Sequence, residues 1–488
     1  MTPRCMSTQH PDNVTTPFFA SNSVLAGEDE IQEAYYAFSH LGIEEQMWDC
    51  EGKEVDSFVV EKLLSRYERF FRGRKLGREV RLTLRVPNPE VERTEAKILL
   101  ETLESIPRNF DIARAFYGED IAPIYEVILP MTSSARALNR IYYYYRNFVS
   151  GKAEKRFFEG DIRIKEWIGD FKPEEISVIP LIEDRESMLR SHEILEAYLR
   201  DKRLEQQRVF LARSDPAMNY GSLSAVLLNK IALQRLWELA EKLSVELLPI
   251  IGVGSAPFRG NFKPTNVYNC LWEYPSVQTY TVQSAFKYDY PEEVVRKAIE
   301  EIRSRSRGAP RFVSEERCRD IAERVSAEYA EQIKLLSPLI NLLARHVPAR
   351  RRRKLHIGLF GYARKAGSVT LPRAIPFCCA LYSIGLPPEL LGLKALSERD
   401  LEFLPDIYVN FHEDLKDALR YFNPEVRRLL PEEVWKRLPH GLIEEFGEER
   451  DERHAEITSR IIEAVARNRL ENLEKDITEA GWLRRFLG

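Results

Sequence analysis

The sequence predicts an α/β fold, a (β/α)8 TIM-type barrel that carries many additional α-helices. Short apolar runs rich in β-branched residues recur along the chain, and a stretch with helical periodicity follows most of them. The runs are apolar almost throughout, as parallel strands buried on both faces require. Their number, eight, favours a closed barrel, and the pattern leaves an open doubly wound sheet as the alternative.

The predicted strands and helices alternate along the middle of the chain. The strands are expected at 80–86, 124–131, 176–183, 207–213, 245–252, 277–283, 355–361 and 377–384. The helices between them are expected at 90–106, 133–150, 186–203, 220–243, 291–306 and 314–346. Two amphipathic helices, at 28–40 and 54–72, are expected before the barrel.

The chain shows no Pro/Gly/Ser-rich linker and no internal repeat, which favours a single enlarged barrel domain. We expect residues 1–75 to form an N-terminal segment with helices and residues 76–387 to form the barrel core. Residues 388–488 are predicted to be a helical C-terminal region packed on the barrel, because helical periodicity dominates there.

Composition excludes several classes of protein. The 488 residues are 44% hydrophobic and 30% charged, with a net charge of −4, which indicates a globular protein and no basic nucleic-acid-binding domain. No uncharged apolar run reaches 18 residues, so we expect no membrane span, and the N-terminus lacks the apolar segment of a signal peptide. The six cysteines form no CxxC pair, which predicts a reduced, cytoplasmic setting.

Polar side chains stand where the predicted strands end, which in a barrel is the catalytic face. The residues at these positions are Arg85, Glu183, Arg213, Asp215, Arg259, Gln283, Arg364, Lys365 and Arg373. Two carboxylates on successive strands indicate a hard divalent cation such as Mg²⁺. The arginines indicate an anionic, phosphorylated substrate, because guanidinium groups bind phosphate and carboxylate in bidentate fashion.

Simpler interpretations compete with these. Glu183 or Asp215 alone could cap the helix that follows it, since acidic residues favour helix N-termini. The basic run Arg350–Lys354 is expected to be a solvated loop at the N-terminal end of the seventh strand, away from the catalytic face. Glycines 252, 254 and 260 do not form GxGxxG, which argues against a dinucleotide-binding fold.

Six segments follow one another in the order found in a known family. They are STQHPDN (7–13), VIPLIED (178–184), ARSDPAMNYG (212–221), GSAPFRG (254–260), TVQSAFKY (281–288) and LPRAIPF (371–377). On these motifs the chain resembles the archaeal-type phosphoenolpyruvate carboxylases over nearly its whole length.

The resemblance implies a role for particular residues. His10 would be the essential active-site histidine, and Glu183 and Asp215 would ligate Mg²⁺ (or Mn²⁺). Arg259 would hold the phosphate or the developing charge, supported by Arg364 and Arg373. Substrate-binding roles are expected for Arg85, Arg213, Gln283 and Lys365.

The sequence departs from the larger enzymes of the family at two places. Met218 stands where they have lysine, and Gly252 and Val253 stand near the HGR that opens their glycine-rich loop. The histidine and first arginine of that loop are therefore missing. Lys365 and Arg213 are the candidates to replace the lost charge.

The resemblance also implies the reaction. A phosphoenolpyruvate carboxylase, a carbon–carbon lyase, forms oxaloacetate and phosphate from phosphoenolpyruvate and bicarbonate through carboxyphosphate and a metal-stabilised enolate. A homotetramer is expected by resemblance alone.

Two other functions compete with this one. The first is a Mg²⁺-dependent pyruvate or phosphoenolpyruvate lyase. The second is a non-catalytic helical scaffold, but a scaffold would give no reason for charged residues to gather at strand ends.

Overall fold

A closed barrel of eight parallel strands lies at the centre of the computed structural model, which describes residues 2–9, 13–50, 56–93, 96–352, 364–366 and 369–488. The strands are β1 (Cys5–Ser7), β2 (Glu45–Asp49), β3 (Arg81–Arg85), β4 (Glu126–Leu129), β5 (Ser177–Ile182), β6 (Gln206–Ala212), β7 (Glu246–Gly252) and β8 (Thr279–Val282). Neighbours pair in chain order, and β8 closes the barrel on β1. A separate antiparallel pair comprises β9 (Arg364–Ala366) and β10 (Val369–Leu371).

The predicted fold class is confirmed, and the predicted strands from 80–86 to 277–283 coincide with β3 to β8. The barrel strands nevertheless lie within residues 5–282, so the barrel begins and ends earlier than the predicted core of 76–387. The predicted helices at 28–40 and 54–72 are indeed helices, but they connect barrel strands instead of preceding them.

One predicted strand is wrong and another cannot be compared. The segment predicted as a strand at 377–384 belongs to the helix Ala374–Ser383, which is buried on every side. A uniformly apolar run cannot distinguish a buried helix from a buried strand. The predicted strand at 355–361 lies outside the described residues, and the barrel is closed by the strands named above.

Helices make up most of the remaining chain. Between the strands and after the barrel they span Glu28–Ser39, Val59–Arg66, Glu68–Gly73, Ala96–Tyr117, Ala135–Tyr144, Ile164–Ile168, Arg185–Leu189, Ser191–Leu199, Ser214–Tyr220, Ser222–Leu243, Val267–Glu273, Ser284–Tyr288, Glu292–Ser304 and Glu315–Ala344. The C-terminal helices span Ala374–Ser383, Glu398–Ile407, Phe411–Leu419, Glu432–Lys436, His440–Phe446, Glu452–Ala466 and Leu473–Arg484. The predicted helices and the helical tail are thus confirmed, and the tail shares one apolar cluster with Met218 and Leu223 beside the barrel.

The described residues contain no single helix with the length and apolar character needed to cross a membrane. The helix Ala374–Ser383 and the segment Pro388–Ala395 meet that criterion only when combined, with a bend of 97° between them.

A layer of polar side chains fills one level of the barrel interior. Arg208 on β6 donates bidentately to Glu45 on β2, at 2.7 Å to each oxygen, and donates to Glu126 on β4 at 2.9 Å. Thr279 on β8 accepts a further hydrogen bond from Arg208. Even-numbered strands supply all four residues, as the alternating layers of such barrels require.

Apolar side chains fill the next levels towards the carboxyl ends of the strands. They form one buried cluster that includes Met6, Met47, Ile179, Phe210 and Ile250. This packed interior separates the buried ion pairs from the mouth of the barrel, so the barrel is a solid core with its open surface at one end.

We predict that Arg208→Met lowers the free energy of unfolding by about 3–5 kcal/mol, because it removes the bidentate cation of the buried Glu45 and leaves Glu126 only the longer ion pair with Arg81 at 3.3 Å. Burial alone would raise the pKa of Glu45, but Arg208 holds that pKa below its usual value. Denaturant titration measures the loss. Arg190→Met is the matched control, since Arg190 forms exposed ion pairs with Glu186 and Glu193, and this substitution should cost less than about 1 kcal/mol. Equal losses in the two variants would contradict the prediction.

Candidate active site

A cavity of about 430 Å³ lies at the carboxyl ends of the barrel strands. Its charged and amide-bearing lining residues are Arg85, Glu183, Arg213, Asp215, Arg259, Gln283, Arg350, Arg351 and Arg373. Residues 347–351 and 373–376 form part of its wall on the side away from the barrel floor. The cavity is therefore bounded by the strand ends on one side and by the segments that follow the barrel on the other.

Seven of the ten side chains predicted from the sequence line this one cavity. They are Arg85, Glu183, Arg213, Asp215, Arg259, Gln283 and Arg373. His10 lies outside the described residues. Arg364 and Lys365 belong to β9, for which the structure describes the backbone alone.

The two carboxylates are brought together by neighbouring strands. Leu181 and Ile182 at the end of β5 pair with Phe210 and Leu211 of β6, so Glu183 and the turn that leads to Asp215 emerge side by side. Glu183 accepts a hydrogen bond from the backbone N–H of Met131 at 2.6 Å, which fixes one of its oxygens.

Helix capping does not explain the presence of Glu183. The N-cap of the helix Arg185–Leu189 is Asp184, which accepts a hydrogen bond from the backbone N–H of Ser187 at 2.9 Å. Asp215 lies in the first turn of the helix Ser214–Tyr220, whose N-cap residue makes no side-chain cap. Glu183 is therefore not the residue that caps this helix.

The donor set fits a small hard cation. Two carboxylates reach the cavity, and Mg²⁺ or Mn²⁺ commonly takes one or two protein carboxylates and fills its other positions with water and substrate oxygens. Within the described ranges no group of three or more His, Cys, Asp or Glu side chains could enclose a metal. A site built on Glu183 and Asp215 would therefore be an open one.

Arg259 is buried and held by hydrogen bonds at the edge of the cavity. Its Nε donates to Ser214 Oγ at 3.0 Å, one Nη donates to the main-chain oxygen of Gly488 at 3.2 Å, and the other donates to Gln283 Oε1. Because Ser214 precedes Asp215 in the chain, the guanidinium group lies close to the carboxylate site. Gln283 is thus placed to orient Arg259.

The loop that carries Arg259 requires glycine at two positions. A Cβ atom at Gly254 would lie 2.9 Å from Arg259 Cζ, and Gly260 adopts a φ of +114°, which other residues rarely take. Arg213, fully buried beneath the loop, donates to the carbonyl oxygen of Phe258 at 3.0 Å and to Ser222 Oγ at 3.1 Å. These bonds indicate that Arg213 supports the loop.

Two buried acids hold the same loop from the side of the C-terminal helices. Glu389 accepts hydrogen bonds from the backbone N–H of Phe258 and from the Tyr382 hydroxyl, and burial raises its pKa to about 7. Asp414 accepts a hydrogen bond from Asn261 at 2.7 Å, and burial raises its pKa to about 6. The C-terminal helices therefore help to position Arg259.

A helix end adds positive potential to the opposite wall. Arg373 is the N-cap residue of the helix Ala374–Ser383, and the first turn of this helix lines the cavity. Unpaired backbone N–H groups at a helix N-terminus attract anions. Arg85, oriented by a bidentate pair with Asp49 at 2.7 and 2.9 Å, supplies a further cation. The cavity as a whole is suited to an anionic ligand.

The expectation for the start of the basic run Arg350–Lys354 is wrong. Arg350 and Arg351 are buried and line the cavity, and Arg350 donates to the carbonyl oxygen of Asn13 at 3.1 Å. Lys354 lies outside the described residues. Arginines can be buried where acidic partners pair with them. The first two residues of the run are therefore not part of a solvated loop.

The acidic partners of Arg351 lie on the helix Glu28–Ser39. Arg351 donates to Glu30 and Glu33 at 2.8 Å, and Lys287 donates to Glu33 at 2.7 Å. Burial opposes ionisation of Glu33, but Arg351 and Lys287 lower its pKa to about 2. The sequence does contain a signal for these buried acidic partners. Glu30 and Glu33 lie on the same face of the helix as Ala37, and solvent-exposed acidic residues are not expected on that face.

Together, the fold and the cavity define a barrel enzyme whose strand-end carboxylates and arginines suit a divalent cation and a phosphorylated substrate. Comparison with known proteins agrees: the family model for phosphoenolpyruvate carboxylase matches residues 2–488. The chain therefore belongs to the phosphoenolpyruvate carboxylase family, which confirms the resemblance and the enzyme class predicted from the sequence.

Individual archaeal relatives are similar over most or all of their length. The phosphoenolpyruvate carboxylase of Methanothermobacter thermautotrophicus is 56% identical over 487 residues, covering 100% of this chain and 99% of the relative. That of Pyrococcus abyssi is 57% identical over 423 residues, covering 87% and 89%. That of Pyrococcus furiosus is 50% identical over 490 residues, covering 100% of both chains.

We predict that Glu389→Gln stabilises the protein at pH 8 by about 2–3 kcal/mol and has little effect at pH 5. The folded-state pKa of Glu389, about 7, lies above the unfolded value, so native stability is lost as the pH rises towards and through 7. Glutamine keeps the acceptor for Phe258 and cannot ionise. Denaturant titration at both pH values measures the difference.

The matched control for this prediction is Glu413→Gln, at a surface position where the acid forms a weak, exposed ion pair with Lys416. It should change stability by less than 0.5 kcal/mol at either pH, roughly the size of ordinary surface substitutions. A Glu389→Gln variant whose stability relative to the native chain is independent of pH would contradict the prediction.

Proposed function

We propose that this chain carboxylates phosphoenolpyruvate with bicarbonate and releases oxaloacetate and phosphate. The observation that carries the proposal is the placement of Glu183 and Asp215 directly after two neighbouring strands, beside the buried Arg259, in one cavity. A phosphorylated enol acid carries charge at its phosphate and at its carboxylate, and this cavity offers cations to both. Membership of the phosphoenolpyruvate carboxylase family supports the same reaction.

We propose that Glu183 and Asp215 hold Mg²⁺, or Mn²⁺ in its place. When bound, the cation would supply Lewis-acid chemistry, drawing electron density from the oxygens of phosphoenolpyruvate. The backbone N–H of Met131, which donates to one oxygen of Glu183, would help to keep this carboxylate oriented at the cavity.

The arginines would bind the substrate and offset the charge that develops during the reaction. Arg259, which donates to Ser214 and Gln283, would bind the transferred phosphoryl group, with Arg373 and the adjacent helix N-terminus across the cavity. Arg85 is oriented by Asp49 and would bind a carboxylate. Fixed charges of this kind lower barriers by several kcal/mol, because they need no reorganisation at the moment of reaction. A supporting role for Arg364 rests on the resemblance, and one for Lys365 rests on its predicted position at a strand end.

The reaction would proceed in three steps. A bicarbonate oxygen attacks phosphorus and the bond from phosphorus to the enol oxygen breaks, giving carboxyphosphate and the enolate of pyruvate. Carboxyphosphate then breaks its carbon–oxygen bond to release CO₂ and phosphate, which retains the proton of bicarbonate. The enolate carbon attacks CO₂ and forms oxaloacetate. His10, whose imidazole titrates near neutrality, would move a proton or steady carboxyphosphate.

The setting and assembly of the chain are further proposals. We propose a cytoplasmic location, supported by six cysteines that are all buried as free thiols in the structure. We also propose a homotetramer, on the resemblance to the family. The partners needed for the reaction are the small molecules phosphoenolpyruvate and bicarbonate, and nothing in the charge of the chain calls for nucleic acid.

We predict that oxaloacetate forms only when phosphoenolpyruvate, Mg²⁺ and bicarbonate are all present. Malate dehydrogenase and NADH report oxaloacetate in bicarbonate-depleted buffer to which each component is returned in turn. Arg259→Gln should lower kcat by 10²–10³-fold, roughly the effect of removing one fixed charge donor. Arg190→Gln, at the exposed surface, is the matched control and should keep full activity.

Labelled bicarbonate tests the order of the steps. Attack of a bicarbonate oxygen on phosphorus transfers one ¹⁸O atom per turnover from bicarbonate to phosphate, which mass spectrometry detects. Turnover of phosphoenolpyruvate without bicarbonate would contradict the proposed function and favour the lyase.

A further inference from the structure

Arg350 lies in the wall of the cavity, where the main chain of the N-terminal segment fixes its side chain. It is 9% exposed and lines the cavity together with residues 347–349. Its Nε donates to the carbonyl oxygen of Asn13 at 3.1 Å, and its Nη2 donates to that of Val14 at 3.4 Å. These bonds occupy one edge of the guanidinium group. Nη1 makes no hydrogen bond to the residues that the structure describes, so the oriented group retains donors for a ligand.

The charge of Arg350 is not neutralised by an acidic side chain of the described residues. Its neighbour Arg351 forms ion pairs with Glu30 and Glu33 at 2.8 Å, whereas the hydrogen bonds of Arg350 go to carbonyl oxygens. Burial opposes the charge of both arginines. Glu33 and Glu30 nevertheless raise the pKa of Arg351 above its ordinary value, while burial lowers the pKa of Arg350. A buried cation without a counter-ion is costly, so an anion in the cavity would bind favourably beside Arg350.

Met218 stands where the larger enzymes of the family have lysine, so that charge has to come from elsewhere in this chain. The Met218 side chain is fully buried in an apolar cluster. Of the two candidates predicted from the sequence, Arg213 donates to the loop at Phe258, and Lys365 lies where the structure describes the backbone alone. Arg350 is therefore a third candidate, at a position predicted from the sequence to be a solvated loop.

Bicarbonate is the reactant for which the other cations of the cavity leave a place. Under the proposed function, Arg259 and Arg373 serve the phosphoryl group, and Arg85 binds the carboxylate of phosphoenolpyruvate. Bicarbonate is a planar monoanion, and two parallel N–H···O bonds from a guanidinium group match the geometry of such an ion. Bicarbonate must also lie beside the phosphoryl group that it attacks, and Arg350 lines the same cavity as Arg259 and Arg373.

We propose that Arg350 binds bicarbonate and stays bonded to the remaining carboxyl oxygens when carboxyphosphate forms. This inference rests on the proposed carboxylation and identifies the binding site of its second substrate. The alternative is a purely structural role, in which Arg350 only tethers Asn13 and Val14. Kinetics distinguish the two roles, because the loss of a tether has no reason to affect the binding of one substrate alone.

We predict that Arg350→Gln raises the KM for bicarbonate by about 10–100-fold, roughly the loss of a charge-assisted pair of hydrogen bonds. The KM for phosphoenolpyruvate should change by less than about threefold, because its charged groups bind other residues. Arg350→Lys keeps the charge without the planar fork and should raise the KM for bicarbonate less than Arg350→Gln does. Initial rates of oxaloacetate formation, with each substrate varied at a saturating concentration of the other, measure both constants.

The matched control is Arg352→Gln, two positions further along. Arg352 is exposed and is not among the residues that line the cavity, so both KM values should equal those of the native chain. A folded Arg350→Gln variant with a native KM for bicarbonate would overturn the proposal, and so would a rise confined to the KM for phosphoenolpyruvate. A native chain that forms no oxaloacetate from the two substrates would instead refute the proposed function itself.

A crystal structure of the native chain tests the same proposal without relying on a variant that has to fold. The crystals would contain bicarbonate and a phosphonate analogue of phosphoenolpyruvate that cannot transfer its phosphoryl group. Bicarbonate oxygens should lie within about 3.2 Å of the Arg350 guanidinium nitrogens. Bicarbonate bound in the cavity away from Arg350 would overturn the proposal.

Discussion

The architecture depends on the closure of the barrel by its shortest strand. β1 has three residues, yet it pairs with β2 on one side and with β8 on the other. Closure leaves no open sheet edge and brings the chain directly after Ser7 into the mouth. Lys287, which follows β8, donates to Ser7 Oγ and to the carbonyl oxygen of Thr8 at 3.0 Å and so fastens this segment to the eighth strand.

In the mouth of the barrel, buried groups orient three of the arginines that line the cavity. Asp49 holds Arg85, Gln283 and Ser214 hold Arg259, and Glu33 holds Arg351. Buried ion pairs of this kind contribute little net stability, since desolvation offsets much of the attraction, but losing one partner is costly. In this structure the buried partners fix the positions of the guanidinium groups. Charges that are already fixed can offset reacting charge without reorganisation.

Sequence reasoning predicted the features that a local residue pattern determines. It missed the features that depend on contacts between residues far apart in the chain. The long apolar strands were predictable, whereas β1 (CMS) and β2 (EQMWD) are too short or too polar to stand out. Glu183 and Asp215 followed from strand-end logic. Arg351 did not, because a basic run alone indicates solvent exposure. Its acids Glu30 and Glu33 lie 321 and 318 residues away, so only the folded structure shows that Arg351 is neutralised.

We propose that Glu183 and Asp215 form one cation site in the mouth of the barrel. Titration with Mn²⁺ alone, followed by electron paramagnetic resonance, measures binding at this site. Asp215→Asn and Glu183→Gln should each weaken Mn²⁺ binding at least 10-fold, roughly the lower limit for disturbing a metal site. Glu186→Gln, one turn further along and exposed, should bind as the native chain does. Native affinity in Asp215→Asn or Glu183→Gln would contradict the claim.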